Sequence, residues 1–181
     1  MYRFLPLLVL LPLFACQTQP YAENSPYYRI PVGSSIEVTQ ALTIPANTAR
    51  VYIQYGKPVD YQSVDQYEVH CWVFSWKVLE ENQTVKPGNF IVTRVQEFEE
   101  FVYRDNKIQL ASITKTRFQD IHGGATAIEY KTVLTIHSDM QPNIRRLVCN
   151  HWEDPIDARH LSLAQIRTAL GEIITIKLNK K

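Results

Sequence analysis

Residues 90–138 read FIVTRVQEFEEFVYRDNKIQLASITKTRFQDIHGGATAIEYKTVLTIHS, and no other part of the chain indicates its fold class as clearly. The region is rich in β-branched and aromatic residues, which favour strands. Because short connectors join neighbouring antiparallel strands, we predict a meander here. Its three long stretches are residues 90–103, 108–121 and 125–138, and its connectors are 104–107 and 122–124.

Each of these stretches is longer than the usual strand of about five or six residues. A strand of that length has to bend, bulge or break. Charged residues interrupt the alternation of polar and apolar side chains at 96–100, where the order is Gln-Glu-Phe-Glu-Glu. We therefore predict a β-bulge at 96–100.

Strand patterns continue on both sides of this region. Apolar side chains alternate at Ile36, Val38, Leu42 and Ile44, which predicts one strand over residues 36–44. The same period of two predicts further strands at 50–55, 144–152 and 173–178.

The stretch 67–79 is the most apolar strand candidate. One face carries Cys71 and Val73, and the other carries Trp72, Phe74 and Trp76. A strand that is apolar on both faces belongs in the middle of a sheet that is covered on both sides. We expect a turn region to follow it at 80–89.

One helix is predicted near the C-terminus. Ser162 is followed three residues later by Gln165, which is the spacing of a capping box, and Ile166 and Leu170 recur at helical spacing up to Gly171. Together with the meander, this predicts a mainly β domain. We expect an antiparallel β-sandwich or a partly open barrel with one C-terminal α-helix.

The chain begins with an apolar run over residues 4–15. The run is too short to span a bilayer, which takes about 20 apolar residues, and it fits a signal peptide. It ends in Leu13-Phe14-Ala15-Cys16, which resembles the lipobox of a bacterial lipoprotein precursor. The resemblance implies removal of residues 1–15 and acylation of Cys16. The alternative is an ordinary signal peptide that leaves Cys16 as a free thiol.

The resemblance also implies a location. Gln17 follows Cys16, where many lipoproteins of the inner membrane carry aspartate, so the implied place is the outer membrane, facing the periplasm. Residues 16–35 contain three prolines and show no apolar period, which predicts a tether. The alternative is that Tyr21, Tyr27 and Tyr28 pack back on the domain or lie at the lipid interface. Residues 36–181 are expected to form a single domain.

With Cys16 assigned to lipid, Cys71 and Cys149 remain as an even pair. An exported domain lies in an oxidising compartment, so we predict a disulfide between them. Two buried thiols that never meet are one alternative. A zinc or copper site that adds His70 and His151 is the other, although alternation directs His70 away from Cys71.

The formal net charge is only +1, which offers no electrostatic argument for nucleic acid. Ser34 and Ser35 follow Gly33 but lack the second glycine of a nucleophile elbow. We therefore predict no catalytic, cofactor-binding or metal-binding residue. Basic side chains could form a strip across neighbouring strands for anionic lipid, glycan or a partner, although a half-exposed sheet explains them equally. They are Lys115, Arg117, Lys131, Arg145 and Arg146.

These patterns favour a non-enzymatic lipoprotein of the cell envelope. Its expected partners are the membrane, through the lipid anchor, and another envelope protein bound by a sheet face or edge. A barrel that binds a small hydrophobic ligand is the alternative function. An envelope hydrolase would require a nucleophile and a base that meet in a cleft.

Overall fold

A computed structural model describes residues 21–102, 127–156 and 159–179. The described chain is mainly β, with one α-helix near the C-terminus, which confirms the predicted fold class. Its strands are β1 Ser35–Val38, β2 Leu42–Ile44, β3 Arg50–Gln54, β4 Lys57–Val59, β5 His70–Ser75, β6 Gln83–Val85, β7 Gly88–Val102, β8 Ala127–His137, β9 Ile144–Glu153 and β10 Ile174–Lys177. The helix α1 spans Leu163–Leu170, and a 3-10 turn spans Tyr61–Ser63.

Eight of the strands form one antiparallel sheet in the order β10-β1-β7-β8-β9-β5-β3-β4, which is curved into a half-barrel. The strands β2 and β6 form a separate pair. Helix α1 packs against β10 near one end of the sheet and against β3 and β5 near the other. The sheet therefore curls around the helix.

The predicted meander is present as β7-β8-β9, but its members differ from the prediction. Strand β7 pairs directly with β8, from Ile91 opposite His137 to Val102 opposite Ala127. The stretch 90–103 thus pairs with 125–138, and the expectation that 108–121 lies between them is wrong. The reason is that the facing edges of β7 and β8 are hydrogen-bonded to each other. Residues 108–121 and both predicted connectors lie outside the described residues.

The predicted bulge at 96–100 is also wrong. The register of β7 shifts between Val92 and Arg94, whereas residues 96–100 pair regularly with β8. The charges in that segment find partners beside the sheet, because Glu97 lies 3.3 Å from Arg29 and Glu99 lies 3.3 Å from His160. Charged residues there do not interrupt the ladder.

The strand predicted at 36–44 is divided into β1 and β2. Thr39 lies at the break, where its N–H donates to the carbonyl oxygen of Ile173 at 2.9 Å and its hydroxyl donates to that of Glu172. The first bond extends the contact with the chain before β10, and the strand itself ends at Val38. Strand β2 then pairs with β6, a three-residue strand inside the region predicted as a turn.

The core lies between the curved sheet and α1. Phe90, Leu134 and Leu147 from the sheet and Leu163 and Leu170 from the helix are at most 1% exposed. Burying each such side chain stabilises the fold by roughly 1.5–3 kcal/mol. The part of the concave side next to α1 is therefore filled with side chains.

The helix begins and ends as predicted. The Ser162 hydroxyl accepts a hydrogen bond from the Gln165 N–H, the Ser162 N–H donates to the Gln165 side chain, and the cap at the other end is Gly171. Gly171 has φ +56°, and a Cβ added there would lie 2.5 Å from the Cα of Gly56. This close approach seats the helix end against the β3–β4 hairpin.

The described part of the predicted tether lies against the domain. Ile30 is 5% exposed within the core, and Gly33 and Ser34 exchange backbone hydrogen bonds with Val92. Glu23 forms an ion pair with Arg167 of α1. The contacts of Glu23, Ile30, Gly33 and Ser34 thus hold this segment against the domain, whereas the Tyr21 and Tyr27 side chains are exposed. In the described ranges, α1 and every other helix are too short or too polar to cross a membrane.

Candidate functional site

Cys71 and Cys149 occupy facing positions on β5 and β9. Their Sγ atoms lie 2.07 Å apart and their Cα atoms 4.0 Å apart, so the structure brings the predicted pair to disulfide distance. The sequence separation is 78 residues, and closing such a loop contributes on the order of 4 kcal/mol in the chain-entropy model. Both cysteines belong to the core beside α1, on what we call the inner face of the sheet.

The side chains next to this pair alternate between the two faces. His70 and its partner Asn150 point to the opposite side, which we call the outer face, whereas His151 points inward with Cys149. The cysteines and the two histidines therefore do not converge. Among the described residues, no group of three or more His, Cys, Asp or Glu side chains is arranged to hold a metal ion.

The outer face of β3 and β5 carries a group of aromatic side chains flanked by arginines. The rings of Tyr52 and Trp72 lie 5.7 Å apart, centroid to centroid. The Arg50 guanidinium lies 5.7 Å from the Trp72 ring, and that of Arg146 lies 5.8 Å from the Phe74 ring. We call these five residues the outer aromatic face.

The three rings of the outer aromatic face are half-buried, and the two arginines are exposed. The pairing of β3 with β5 and of β5 with β9 brings the five residues together, because Tyr52 lies opposite Trp72 and Phe74 lies opposite Arg146. Each contact between a guanidinium and a ring contributes about 0.5–1 kcal/mol at an exposed site. The arrangement holds flat apolar surface and positive charge side by side.

Arg50 and Arg146 have no carboxylate within ion-pair distance among the described residues. Lys131, two strands away from β5, differs in this respect: its Nζ lies 3.2 Å from Glu129 and 3.4 Å from Glu100. Of the predicted basic strip, Lys131 is therefore neutralised by neighbouring carboxylates. Lys115 and Arg117 lie outside the described residues.

A cleft of about 790 Å³ adjoins the outer aromatic face. Arg50 and Tyr52 form one side of it, and Tyr61 from the 3-10 turn and Pro58 from β4 form the other. The Tyr61 ring is 63% exposed and lies 5.2 Å from the Tyr52 ring. The two rings are in contact with each other, and the cleft beside them is wide enough for an apolar side chain of another molecule.

The inner face carries a second polar cluster near its rim. The Tyr130 ring lies 4.7 Å from that of His160 and 6.1 Å from that of His151, centroid to centroid. The Nε2–H of His151 donates to the Arg159 carbonyl oxygen at 3.1 Å, and its Nδ1 lies 3.4 Å from the Glu153 carboxylate. Burial lowers the pKa of His151 despite these two acceptors.

His70 is the other buried histidine. Its Nδ1 donates to the Glu68 carbonyl oxygen at 3.1 Å, and burial lowers its pKa. The neighbouring Asn150 side chain donates to the Glu129 carboxylate, whereas its Oδ1 has no hydrogen-bond partner in the structure. Both histidines are thus held mainly in the neutral form inside the fold.

The serine and threonine hydroxyl groups whose hydrogen bonds the structure describes bind backbone groups or side-chain amides. Ser75 donates to Gln83, Ser162 donates to Gln165, and Thr168 donates to the Ala164 carbonyl oxygen. These contacts support local structure. None of them joins a hydroxyl to a base in the way that nucleophilic catalysis requires.

Sequence reasoning identified only part of the outer aromatic face. The alternation in 67–79 placed Trp72 and Phe74 together, but it also included Trp76, which lies beyond the end of β5 and is 70% exposed. The arginines come from two other strands. Their positions over the rings depend on cross-strand register, for which the local sequence carries no signal.

Comparisons of the chain with protein-family models, with curated proteins and with solved structures find no match.

Proposed function

We propose that this chain is a non-enzymatic lipoprotein of the cell envelope whose outer aromatic face binds another envelope protein. The lipobox-like residues that end at Cys16 support the proposed location in the cell envelope. The cysteine pair at disulfide distance fits an oxidising compartment outside the cytoplasm. The partner supplies carboxylates and an apolar side chain to this face.

The observation that carries the proposal is the position of two exposed arginines over half-buried rings without a carboxylate partner among the described residues. Trp, Tyr and Arg are the residues that contribute most binding energy at protein interfaces. An arginine already held over a ring loses less side-chain entropy when it pairs with a carboxylate. Acidic groups of the partner are therefore the complement of Arg50 and Arg146.

Protein binding is favoured over the ligand-binding barrel by the packing of the concave side. Phe90, Leu134 and Leu170 fill the part of that side next to α1 with buried apolar groups. A cavity of about 1210 Å³ at its rim is lined by the charged Glu97 and Glu99 as well as by apolar residues. A barrel that binds a hydrophobic ligand needs an open apolar interior instead. The cleft at Tyr61 lies outside the barrel and suits one inserted side chain.

Site-specific crosslinking in intact cells tests the partner proposal. A photoreactive amino acid at Gln62, which is exposed and lines the cleft, should form an adduct with an envelope protein. The same probe at Thr175 on the far edge of the sheet should not. The adduct should disappear with Arg50→Glu/Arg146→Glu and persist with Arg145→Glu.

The purified partner should then bind the domain. Arg50→Glu/Arg146→Glu should raise the dissociation constant by at least about tenfold, which corresponds to about 1.4 kcal/mol of binding free energy. Equal crosslinking at Gln62 and Thr175, or an affinity unchanged by the double substitution, would contradict the proposal. The anchor is tested separately. Cys16→Ser should release the domain from membranes, and a variant that stays in the membrane pellet would refute lipid attachment.

A further inference from the structure

We propose that Tyr21, Tyr27 and Val32 form a membrane-contact surface, which seats the domain directly on the bilayer that carries the Cys16 anchor. This inference rests on the lipid attachment in the proposed function. The side chains are 61%, 70% and 54% exposed, and the rings of Tyr21 and Tyr27 lie 5.5 Å apart. All three side chains line the same cleft of about 1210 Å³, so they form one surface rather than isolated exposed residues.

The surface belongs to the domain because its segment is fixed in place. The Ala164 N–H donates to the Glu23 carbonyl oxygen at 3.3 Å, and the Glu23 carboxylate pairs with Arg167. Ile30 is buried in the core between Tyr27 and Val32. The membrane-contact surface therefore cannot move away from the sheet without breaking these contacts.

Chain length brings this surface to the lipid. Only residues 17–20 separate Cys16 from Tyr21, so five residue steps of at most about 3.6 Å allow roughly 18 Å between them. An acylated Cys16 sits at the boundary between acyl chains and headgroups, and the headgroup region is roughly 5–8 Å deep on each side. The domain thus has little room to stand off the membrane.

The chemistry of the surface fits the lipid headgroup region. Tyrosine is enriched there because its ring is apolar and its hydroxyl group stays hydrated. Arg29, which lines the same cleft, is paired with Glu97 at 3.3 Å. We therefore expect contact with the interface itself, without a requirement for anionic lipid.

The two proposed surfaces can be occupied at the same time. Glu97 lies in the same cross-strand row as Thr132, Cys149 and Cys71, and it therefore points to the inner face. Because Arg29 pairs with Glu97, the segment that contains Tyr27 packs on the inner side of the sheet. Trp72 points to the outer face. A domain seated through Tyr21 and Tyr27 leaves the outer aromatic face open to a partner in the periplasm.

Hydroxyl-radical footprinting of the full acylated protein in neutral phosphatidylcholine vesicles tests the inference. The reference is the Cys16→Ser protein in solution. Oxidation of Tyr21 and Tyr27 should fall by at least about threefold in the vesicles, since buried interfacial rings exclude water. Tyr61 and Tyr67, which are 63% and 51% exposed elsewhere on the domain, should react equally in both samples.

Two results would overturn the inference. One is equal oxidation of Tyr21 and Tyr27 in both samples while the protein sediments with the vesicles. The other is protection that disappears when the protein is diluted over more lipid, because that would indicate a second copy of the chain. Loss of the Gln62 crosslink with tyrosine protection intact would refute only the partner proposal, and failure to sediment would refute the anchor and this inference together.

Discussion

The Arg50 guanidinium lies 5.7 Å from the centroid of the Trp72 ring, although 21 residues of chain lie between the two. The contact exists because Arg50 faces Phe74 in the ladder between β3 and β5, one position along from the pair of Tyr52 and Trp72 on that face. Its geometry makes the indole ring the centre of the outer aromatic face.

Trp72→Ala should weaken binding of the envelope partner by about 2 kcal/mol, because truncation removes the ring that supports the cation and contributes apolar contact area. Trp76→Ala removes a more exposed tryptophan beyond the strand end and should change the affinity by less than about 0.5 kcal/mol. Titration of the partner with each variant measures the difference. Equal losses for both tryptophans would contradict the assignment.

The cysteine pair should be oxidised in the mature protein. Thiol labelling of the unreduced, denatured chain should leave Cys71 and Cys149 unmodified, and labelling of both would disprove the bond. Replacing both by alanine should lower the free energy of unfolding by about 4 kcal/mol in the chain-entropy model. Urea unfolding of the oxidised protein and the double variant gives this value.

Ser162→Ala should cost about 1 kcal/mol of stability, because it removes the acceptor for the Gln165 N–H and leaves a helix donor unpaired. Thr168→Ala is the matched control on the same helix. Its exposed hydroxyl only donates to the Ala164 carbonyl, which already lies within the helix, and it should cost less than about 0.5 kcal/mol. Thermal unfolding of the two variants separates them, and a larger loss at Thr168 would refute the capping assignment.

Gly171→Ala should destabilise the fold by about 2 kcal/mol or more. The added methyl would lie 2.5 Å from the Gly56 Cα, and φ +56° is strained for alanine. The neighbouring exposed Glu172→Ala should be nearly neutral. Denaturant midpoints provide the comparison, and a Gly171→Ala protein as stable as wild type would show that the helix end can shift freely.

Stability should fall as the pH drops below about 6.5. Burial lowers the pKa of His70 and His151 from the ordinary value of 6.5, so below that pH the unfolded chain binds protons that the folded protein resists. The full contribution of the two neutral histidines to the free energy of unfolding is present above pH 6.5. As the pH falls toward their lowered pKa, this contribution is lost at up to about 1.4 kcal/mol per pH unit for each histidine.

Unfolding at pH 7.5 and pH 5.5 measures this dependence. His151→Gln should flatten the pH profile, because it removes one of the two histidines whose pKa burial lowers. A His151→Gln protein with the wild-type pH dependence would assign the effect to other groups.

The local elements of the fold could be predicted where a single short pattern specifies them. Ser162 and Gln165 predict the start of the helix, and the alternation from Arg50 to Gln54 predicts β3. The even number of cysteines left after Cys16 predicts that Cys71 pairs with Cys149. Each of these signals lies within a few residues or in a simple count. The structure contains the helix and β3, and it brings the two cysteines to disulfide distance.

Long-range pairing could not be predicted in the same way. Short connectors predict pairing only between segments that follow each other closely in the chain. Strand β7 instead pairs with β8, from Ile91 opposite His137 to Val102 opposite Ala127. Ile30 shows no apolar period around it, so its place in the core had no signal. The arginines of the outer aromatic face depend on the register of three strands at once.

The position of β1 between β7 and β10 has a consequence for the order in which the chain can fold. Synthesis proceeds from the amino end, so Ile36 and Val38 exist long before their partners Ile176 and Ile174. Until those last residues arrive, one edge of β1 has unpaired backbone groups that another chain could join. The first described strand of this sheet is therefore paired on both sides only after β10 is present, and β10 and β4 then form the two edges of the sheet.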